Sequence, residues 1–180
     1  MITKAQHKYL SARAEELIKK AGVLLTADEL KKMDTADFGL GNPEIEGAQI
    51  VPLIDTEKIA MRVIVLLPLQ TEPEHWHAGS GDIPGKEETI RVLYGTFYLC
   101  AEGEDNRQYA RIPEGKDEYY TVRYEYVMSP GDAITIPCGT RHCFQAGECG
   151  AVIYSVSTAA RDAADPFTDP NVVRVTVLTE

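Results

Sequence analysis

The residues with the most chemical potential fall in two stretches far apart in the chain. Glu74-His75-Trp76-His77 holds two histidines two residues apart. On a strand that spacing sends both imidazoles to one face, with Trp76 opposite. Glu88 follows eleven residues after His77, and His142 lies far downstream, just after Pro137-Cys138-Gly139-Thr140-Arg141. Three imidazoles and one carboxylate converging inside a barrel would form an octahedral-capable metal site with about two positions open to a chelating substrate. An H-x-H pair alone is a weak signal, because surface histidines produce it often. The fourth histidine, His7, stands three residues before Leu10 on an apolar helical stripe and reads as structural.

The elements that must position these residues are mostly strands. Candidates are Ala48–Ile54, Ile59–Pro68, Glu88–Tyr94, Thr96–Ala101, Tyr119–Met128, Ala133–Pro137, Ala151–Ser157 and Val172–Leu178, rich in Val, Ile, Tyr and Thr. Many short strands at fairly even spacing predict an all-β barrel or sandwich. Tyr94-Gly95-Thr96 and Ser129-Pro130-Gly131-Asp132 suit tight hairpins, and Ala78–Gly85 reads as a loop. Residues 1–40 differ. Leu10, Ala14, Leu17, Ile18 and Ala21 recur at helical spacing, Thr3 with Gln6 reads as a capping box, and Gly22 stands where the helix would end. Thr26 with Glu29 repeats the box for a shorter helix through about Met33. The expected organisation is a helical extension over 1–40 and a barrel over 41–180, together one structural domain.

Composition narrows the function. The 180 residues carry 18 Lys+Arg against 28 Asp+Glu, a net charge of −10. An acid excess opposes phosphate contacts, so nucleic-acid binding is not expected. The longest apolar run, Val63–Leu67, is too short to span a bilayer, and Met1–Lys20 is too charged for a signal peptide, which makes a cytoplasmic location the expectation. Cys100, Cys138, Cys143 and Cys149 contain no C-x-x-C pair and read as small buried hydrophobes.

The run Gly131, Pro137, Gly139, His142 supplies every element of the second motif of the cupin superfamily, which it closely resembles, as does the spacing from Glu88 to Gly95. The first motif departs in two ways: Leu69 stands where a glycine usually precedes the H-x-H, and ten residues separate His77 from Glu88 where three or four are usual. Over nearly its full length the chain resembles the D-lyxose isomerase family of sugar ketol-isomerases. The matching stretches are 21–26, 37–41, 73–77, 85–89, 120–122, 144–148 and 165–170. That resemblance implies a single cupin barrel, a divalent metal, usually manganese, on His75, His77, Glu88 and His142, and a lysine two positions before the metal glutamate, here Lys86. Co²⁺, Fe²⁺ or Zn²⁺ are alternatives. Some relatives carry an acidic residue on the last core strand where this chain has Ser155, so no base is carried over from there. The superfamily also implies a homodimer.

Aldose–ketose isomerisation moves a proton between C1 and C2 of an open-chain sugar, and a divalent cation stabilises the resulting ene-diolate. If the strand begins as early as Lys86, that residue shares a face with Glu88 and is the candidate base, its pKa expected to fall on burial beside a cation. Ile90, Val92 and Tyr94 are expected on the same face, with Tyr94 a candidate donor to a sugar hydroxyl. Asp162, Asp165 and Phe167 belong to a C-terminal segment expected to fold over the mouth and contact substrate. Glu74 and Glu87 are expected at the surface, Trp76 under the helices, and Arg141 pointing outward. The substrate class is a neutral monosaccharide, D-lyxose/D-xylulose and D-mannose/D-fructose. Competing readings are an iron dioxygenase using the same ligands, a non-catalytic sugar-sensing barrel, and a phosphosugar isomerase, the last opposed by the acid excess.

Overall fold

The computed structural model describes residues 1–79, 81, 84–160 and 162–180; Ser80, Asp82 and Ile83, within the loop expected at Ala78–Gly85, and Arg161 lie outside the described residues. Its elements in order are β1 (Ile2–Thr3), α1 (Lys4–Lys20), α2 (Ala27–Leu30), β2 (Asp34–Ala36), β3 (Ala48–Asp55), β4 (Ile59–Leu66), β5 (Thr71–His75), β6 (Glu88–Ala101), β7 (Tyr124–Met128), β8 (Ala133–Ile136), β9 (His142–Thr158) and β10 (Leu178–Thr179). The mostly β architecture with an N-terminal helix is the expected one. Among the described residues no helix is long and apolar enough to cross a membrane.

Two long strands organise the barrel. Strand β9 pairs through Ala151–Thr158 with β4 and through His142–Gln145 with β5, while β6 pairs with both halves of β9. The first half of β6 also pairs β8 and its second half pairs β7. The continuous eight-stranded sheet therefore folds into two layers, β2-β3-β4-β9-β6-β8 and β5-β9-β6-β7, which share the bent strands β6 and β9. The bend occurs where the register shifts between Gly95 and Phe97. Gly95 has φ 76°, and a Cβ there would lie 1.9 Å from the Gly150 carbonyl oxygen, so only glycine fits this crossing.

The hairpin expected at Tyr94-Gly95-Thr96 is thus a bend within one strand. Its glycine reads alike for both outcomes. The turn at 129–132 does form, with the Asp132 amide donating to the Ser129 carbonyl at 3.0 Å, but β7 and β8 lie end to end along β6 and do not pair with each other. The strand expected over Val172–Leu178 shrinks to β10, paired in parallel with β1. Residues 34–36, within the stretch read as a helical extension, add an edge strand beside β3.

Helix α1 begins and ends where its sequence demands. Thr3 and Gln6 form the capping box, and Thr26 with Glu29 form a second one for α2, which stops at Leu30, short of Met33. Leu10, Ala14, Leu17 and Ile18 are buried against Val51, Val63, Val65 and Val152 on the outer face of the first layer. Each large apolar side chain placed there contributes about 1.5–3 kcal/mol. Between the layers lies the main core, including Ile50, Ile64, Ile90, Val92, Phe97, Leu99, Phe144 and Ile153. Outside the second layer, Cys100 and Cys143 pair across strands beneath Tyr120 and Val122. Cys138 and Cys149, against expectation, are exposed, the first in the turn after β8 and the second within β9.

Candidate metal centre

Strand β5 brings His75 to the cavity between the layers, and the chain runs on to His77. The opposite partner of His75 on β9 is His142. All three imidazoles are buried, with ring centroids 4.3 Å apart for His75 and His142, 5.2 Å for His75 and His77, and 5.1 Å for His77 and His142. One ring nitrogen from each lies within 4.8 Å of the others, so the three could hold a metal ion. Glu88, first residue of β6, reaches His77 Nε2 at 3.2 Å. Phe144 and Phe167 pack edge-on and tilted against His75.

The hydrogen bonds behind the imidazoles determine their chemistry. His75 Nδ1 lies 2.8 Å from the Pro73 carbonyl oxygen and His142 Nδ1 lies 2.8 Å from that of Thr140. A carbonyl only accepts, so both Nδ1 atoms carry hydrogen and both Nε2 atoms present a lone pair. His142 Nε2 is buried with no partner among the described residues. His77 Nδ1 faces the Asp165 carboxylate at 2.9 Å, which orients the ring in the same sense. Burial, reinforced by the neighbouring histidines, drives His75 well below the ordinary value, and burial brings His142 to about 4. Burial also pulls His77 down, but its bonds to Asp165 and Glu88 prevail and hold it up at about 9. Two imidazoles held neutral with free lone pairs and a third backed by a carboxylate fit a divalent cation.

Glu88 is buried, yet Lys86 and His77 outweigh desolvation and keep its carboxyl well below the usual range. Lys86 Nζ donates to Glu88 at 3.2 Å and to Asp162 at 3.1 Å, and Ser155 Oγ donates to the same Glu88 oxygen as Lys86. Strand β6 begins only at Glu88, so Lys86 precedes it, yet Lys86 and Glu88 are both buried while Glu87 is exposed. The expected fall in the Lys86 pKa is not. Burial pulls it down, but Glu88, Asp162 and Asp165 overcome that and raise it above the ordinary lysine value. Glu88, with the carboxylates brought in by the C-terminal segment, reverses the effect of burial.

That segment does fold over the cavity. Residues Asp162, Asp165 and Phe167 line it, together with Ile50, Ile64 and Phe144. Asp162 also pairs with Arg62 at 3.0 Å, and Asp165 stands behind His77 on its Nδ1 side. Tyr94 is not brought to the site. The register irregularity between Val92 and Tyr94 inverts the alternation, leaving Ile90 and Val92 in the core and Tyr94 on the outer face near α1.

Two further expectations fail around β5. Glu74 is buried, accepting from the Thr121 amide at 2.5 Å, the Val122 amide at 2.9 Å, Thr121 Oγ1 at 2.8 Å and Thr168 Oγ1 at 2.5 Å. It clamps the 119–122 loop and the C-terminal segment against the strand, so its charge is satisfied away from water. Trp76 lies under Arg141, whose guanidinium is 4.7 Å from the ring centre, and not under the helices. His7 is structural as expected, bonded to Thr35 Oγ1 at 2.9 Å. Leu69 takes φ 62°, the left-handed conformation a glycine would adopt freely.

Three further residues that sequence reasoning does not single out line the cavity: Arg62, Glu72 and Arg174. Burial pushes the Glu72 carboxyl up to about 7, against the pull of Arg174. Arg62 sits in β4, where the alternation of a half-buried strand could have marked it as inward-facing. Nothing in the spacing around Arg174 points to the cavity.

The comparisons with known proteins agree with this geometry. The chain is 45% identical to the D-lyxose ketol-isomerase of Cohnella laeviribosi over 167 residues, covering 92% of each chain. It is 40% identical to the D-lyxose/D-mannose isomerase of Thermosediminibacter oceani, covering 97% of each, and 39% identical to a D-lyxose ketol-isomerase of a Thermofilum species, covering 97% of this chain and 98% of that one. No family model matches. Among solved structures, the L-ribose isomerase of Cellulomonas parahominis superposes with a TM-score of 0.84 at 13% identity, over 99% of this chain and 98% of that one, and so shares the fold. With a cupin-type barrel, three buried imidazoles in one cavity and near-full-length identity of this order, the chain belongs to the D-lyxose ketol-isomerase family.

Proposed function

We propose that this chain is a metal-dependent aldose–ketose isomerase that interconverts D-lyxose and D-xylulose, with D-mannose and D-fructose as a second pair. The observation that carries the reading is the trio of buried histidines whose Nδ1 atoms are all tied to acceptors, beside Glu88. His75, His77, Glu88 and His142 would hold the ion, and three nitrogens with one carboxylate oxygen suit Mn²⁺ while accepting Co²⁺, Fe²⁺ or Zn²⁺. When bound, such an ion acts as a Lewis acid toward the sugar oxygens and offsets the charge of the ene-diolate.

The chain's own side chains supply the rest. Asp165 holds the His77 ring in one orientation. Lys86, kept protonated by Glu88 and Asp162, serves as a donor to ene-diolate oxygen and not as the base. Phe144, Phe167, Ile50 and Ile64 exclude water from the reacting carbons. Each described cavity cation already faces a carboxylate: Arg62 lies beside Asp162, Lys86 beside Glu88 and Asp162, and Arg174 beside Asp34 at 3.5 Å. This favours a neutral sugar over a phosphorylated one.

The test is formation of D-xylulose from D-lyxose, and of D-fructose from D-mannose, after exhaustive chelation and again after adding Mn²⁺. Activity should vanish and return. Isomerisation that survives full metal removal overturns the mechanism, and turnover that requires oxygen would favour the dioxygenase reading.

A further inference from the structure

The isomerase reading leaves the C1/C2 proton without a carrier, and the hydrogen-bond inventory of the cavity singles one out. Glu88 accepts from Ser155, Lys86 and His77. Asp162 is engaged by Lys86 and Arg62. Asp165 lies on the Nδ1 side of His77, away from Nε2. Lys86 Nζ is engaged by Glu88 at 3.2 Å and Asp162 at 3.1 Å. Glu72 differs from all of these. It is 6% exposed, lines the same cavity, and its Oε2 is buried with no hydrogen-bond partner among the described residues.

The backbone explains how Glu72 gets there. In regular β-structure Glu72 and Glu74 would share a face. The pairing of β5 with β9 is interrupted between Glu72 and His75. That irregularity lets Glu74 turn outward to its clamp while Glu72, three residues before His75, joins the histidines at the cavity. Bulges re-aim side chains in this way beside active sites. A buried carboxylate with a free oxygen is costly to keep, and among the described residues no hydrogen bond engages this oxygen.

From this placement we propose that Glu72 is the catalytic residue that carries the proton between C2 and C1, an inference that rests on the isomerase reading. The Glu72 carboxylate takes the proton from C2 of the open-chain aldose. The C–H electron pair forms the C1=C2 double bond, and the carbonyl pair moves onto O1. The hydroxyl proton passes from O2 to O1. An O2 pair then forms the new carbonyl at C2, and the C=C pair takes the proton back from Glu72 at C1. No other reactant is needed, and the carboxylate is regenerated.

The experiment compares Mn²⁺-loaded wild type with Glu72→Gln, Glu72→Asp and Glu72→Ala. General-base loss predicts kcat down about 10²–10⁴-fold in Glu72→Gln, with KM, metal content per chain and calorimetric affinity for the unreactive five-carbon alditol within about threefold. Glu72→Asp keeps the carboxylate on a shorter stem and is expected between these extremes, which covers the case in which the amide fails to fold. Added formate should restore at least about tenfold to Glu72→Ala, a rescue that a structural role does not give. A Glu72→Gln rate within tenfold of wild type, loss of metal in parallel with rate, or absence of formate rescue overturns the proposal. A wild type that fails to isomerise either sugar is a different result, and it refutes the isomerase reading first.

Discussion

Helix α1 and strand β5 are both packed against the same two-layered barrel, and they are buried by opposite means. Helix α1 hides one apolar stripe and leaves its other face in water, so its burial can be read from spacing. Strand β5 hides every one of its five residues, Thr71, Glu72, Pro73, Glu74 and His75, and most of them are polar. Apolar burial needs only a neighbouring apolar face. Polar burial calls for a named partner for each group. For Glu74 and His77 those partners come from distant parts of the chain, Thr121, Val122, Thr168 and Asp165, while Glu72 Oε2 has none among the described residues. The helix side thus supplies stability in bulk, and the β5 side converts part of it into a rigid polar site.

The sharpest way to separate the two sides is to remove a ligand. His142→Ala should abolish stoichiometric metal binding and lower isomerisation at least about a thousandfold, since the Lewis acid supplies several kcal/mol to the barrier. Elemental analysis beside a rate assay checks both. Glu74→Ala should come next, with about 3–5 kcal/mol lost in urea unfolding, because the amides of Thr121 and Val122 and the hydroxyl of Thr168 lose a charged acceptor together. It should also slow turnover, since it releases the segment bearing Asp165 and Phe167.

On the helix side, Leu10→Ala should cost about 2–5 kcal/mol of stability and leave kcat unchanged below the unfolding temperature. Equal damage to kcat would show that the two sides are not separable. Thr3→Ala removes half of the capping box and should cost about 1 kcal/mol. Smallest is an acid-limb effect at Asp169. Burial raises its carboxyl, but Lys116 Nζ at 2.6 Å and Asn171 prevail and hold it below the usual range. A depressed folded pKa gives stability that is complete above the unfolded value near 3.9 and is lost as pH falls through the folded one. Asp169→Asn should flatten that part of the stability-against-pH curve by about 1 kcal/mol or less.

The same contrast explains what could be read from sequence. Both capping boxes, the stripe on α1 and the outline of β3 and β4 follow from local rules, and the proposed ligands His75, His77, Glu88 and His142 are marked by motif resemblance. Those rules fail where a strand bends or bulges. Gly95 marks a turn chemically, but whether the chain reverses or merely crosses layers depends on Gly150, which lies far along the chain. Tyr94 keeps its parity with Glu88 only if the strand stays regular, and the shift after Val92 breaks it. Glu72 and Glu74 look alike in sequence; one irregularity sends them to different faces. The Lys86 pKa is raised by Glu88, already visible two residues away, and then by Asp162 and Asp165, whose arrival no spacing announces.

Strand β9 has a consequence during synthesis. It borders β4, β5 and β6, and it contributes His142, yet it occupies residues 142–158 of a 180-residue chain. At about 5–20 residues per second, most of the polypeptide emerges before its central partner exists. Until then β4 and β5 have no neighbour on that edge, and the apolar residues destined for the barrel interior stay open to solvent and to other chains. Folding of this protein on the ribosome should therefore be a late, nearly single event, and a chaperone that shields nascent strands would act in the interval before β9 appears.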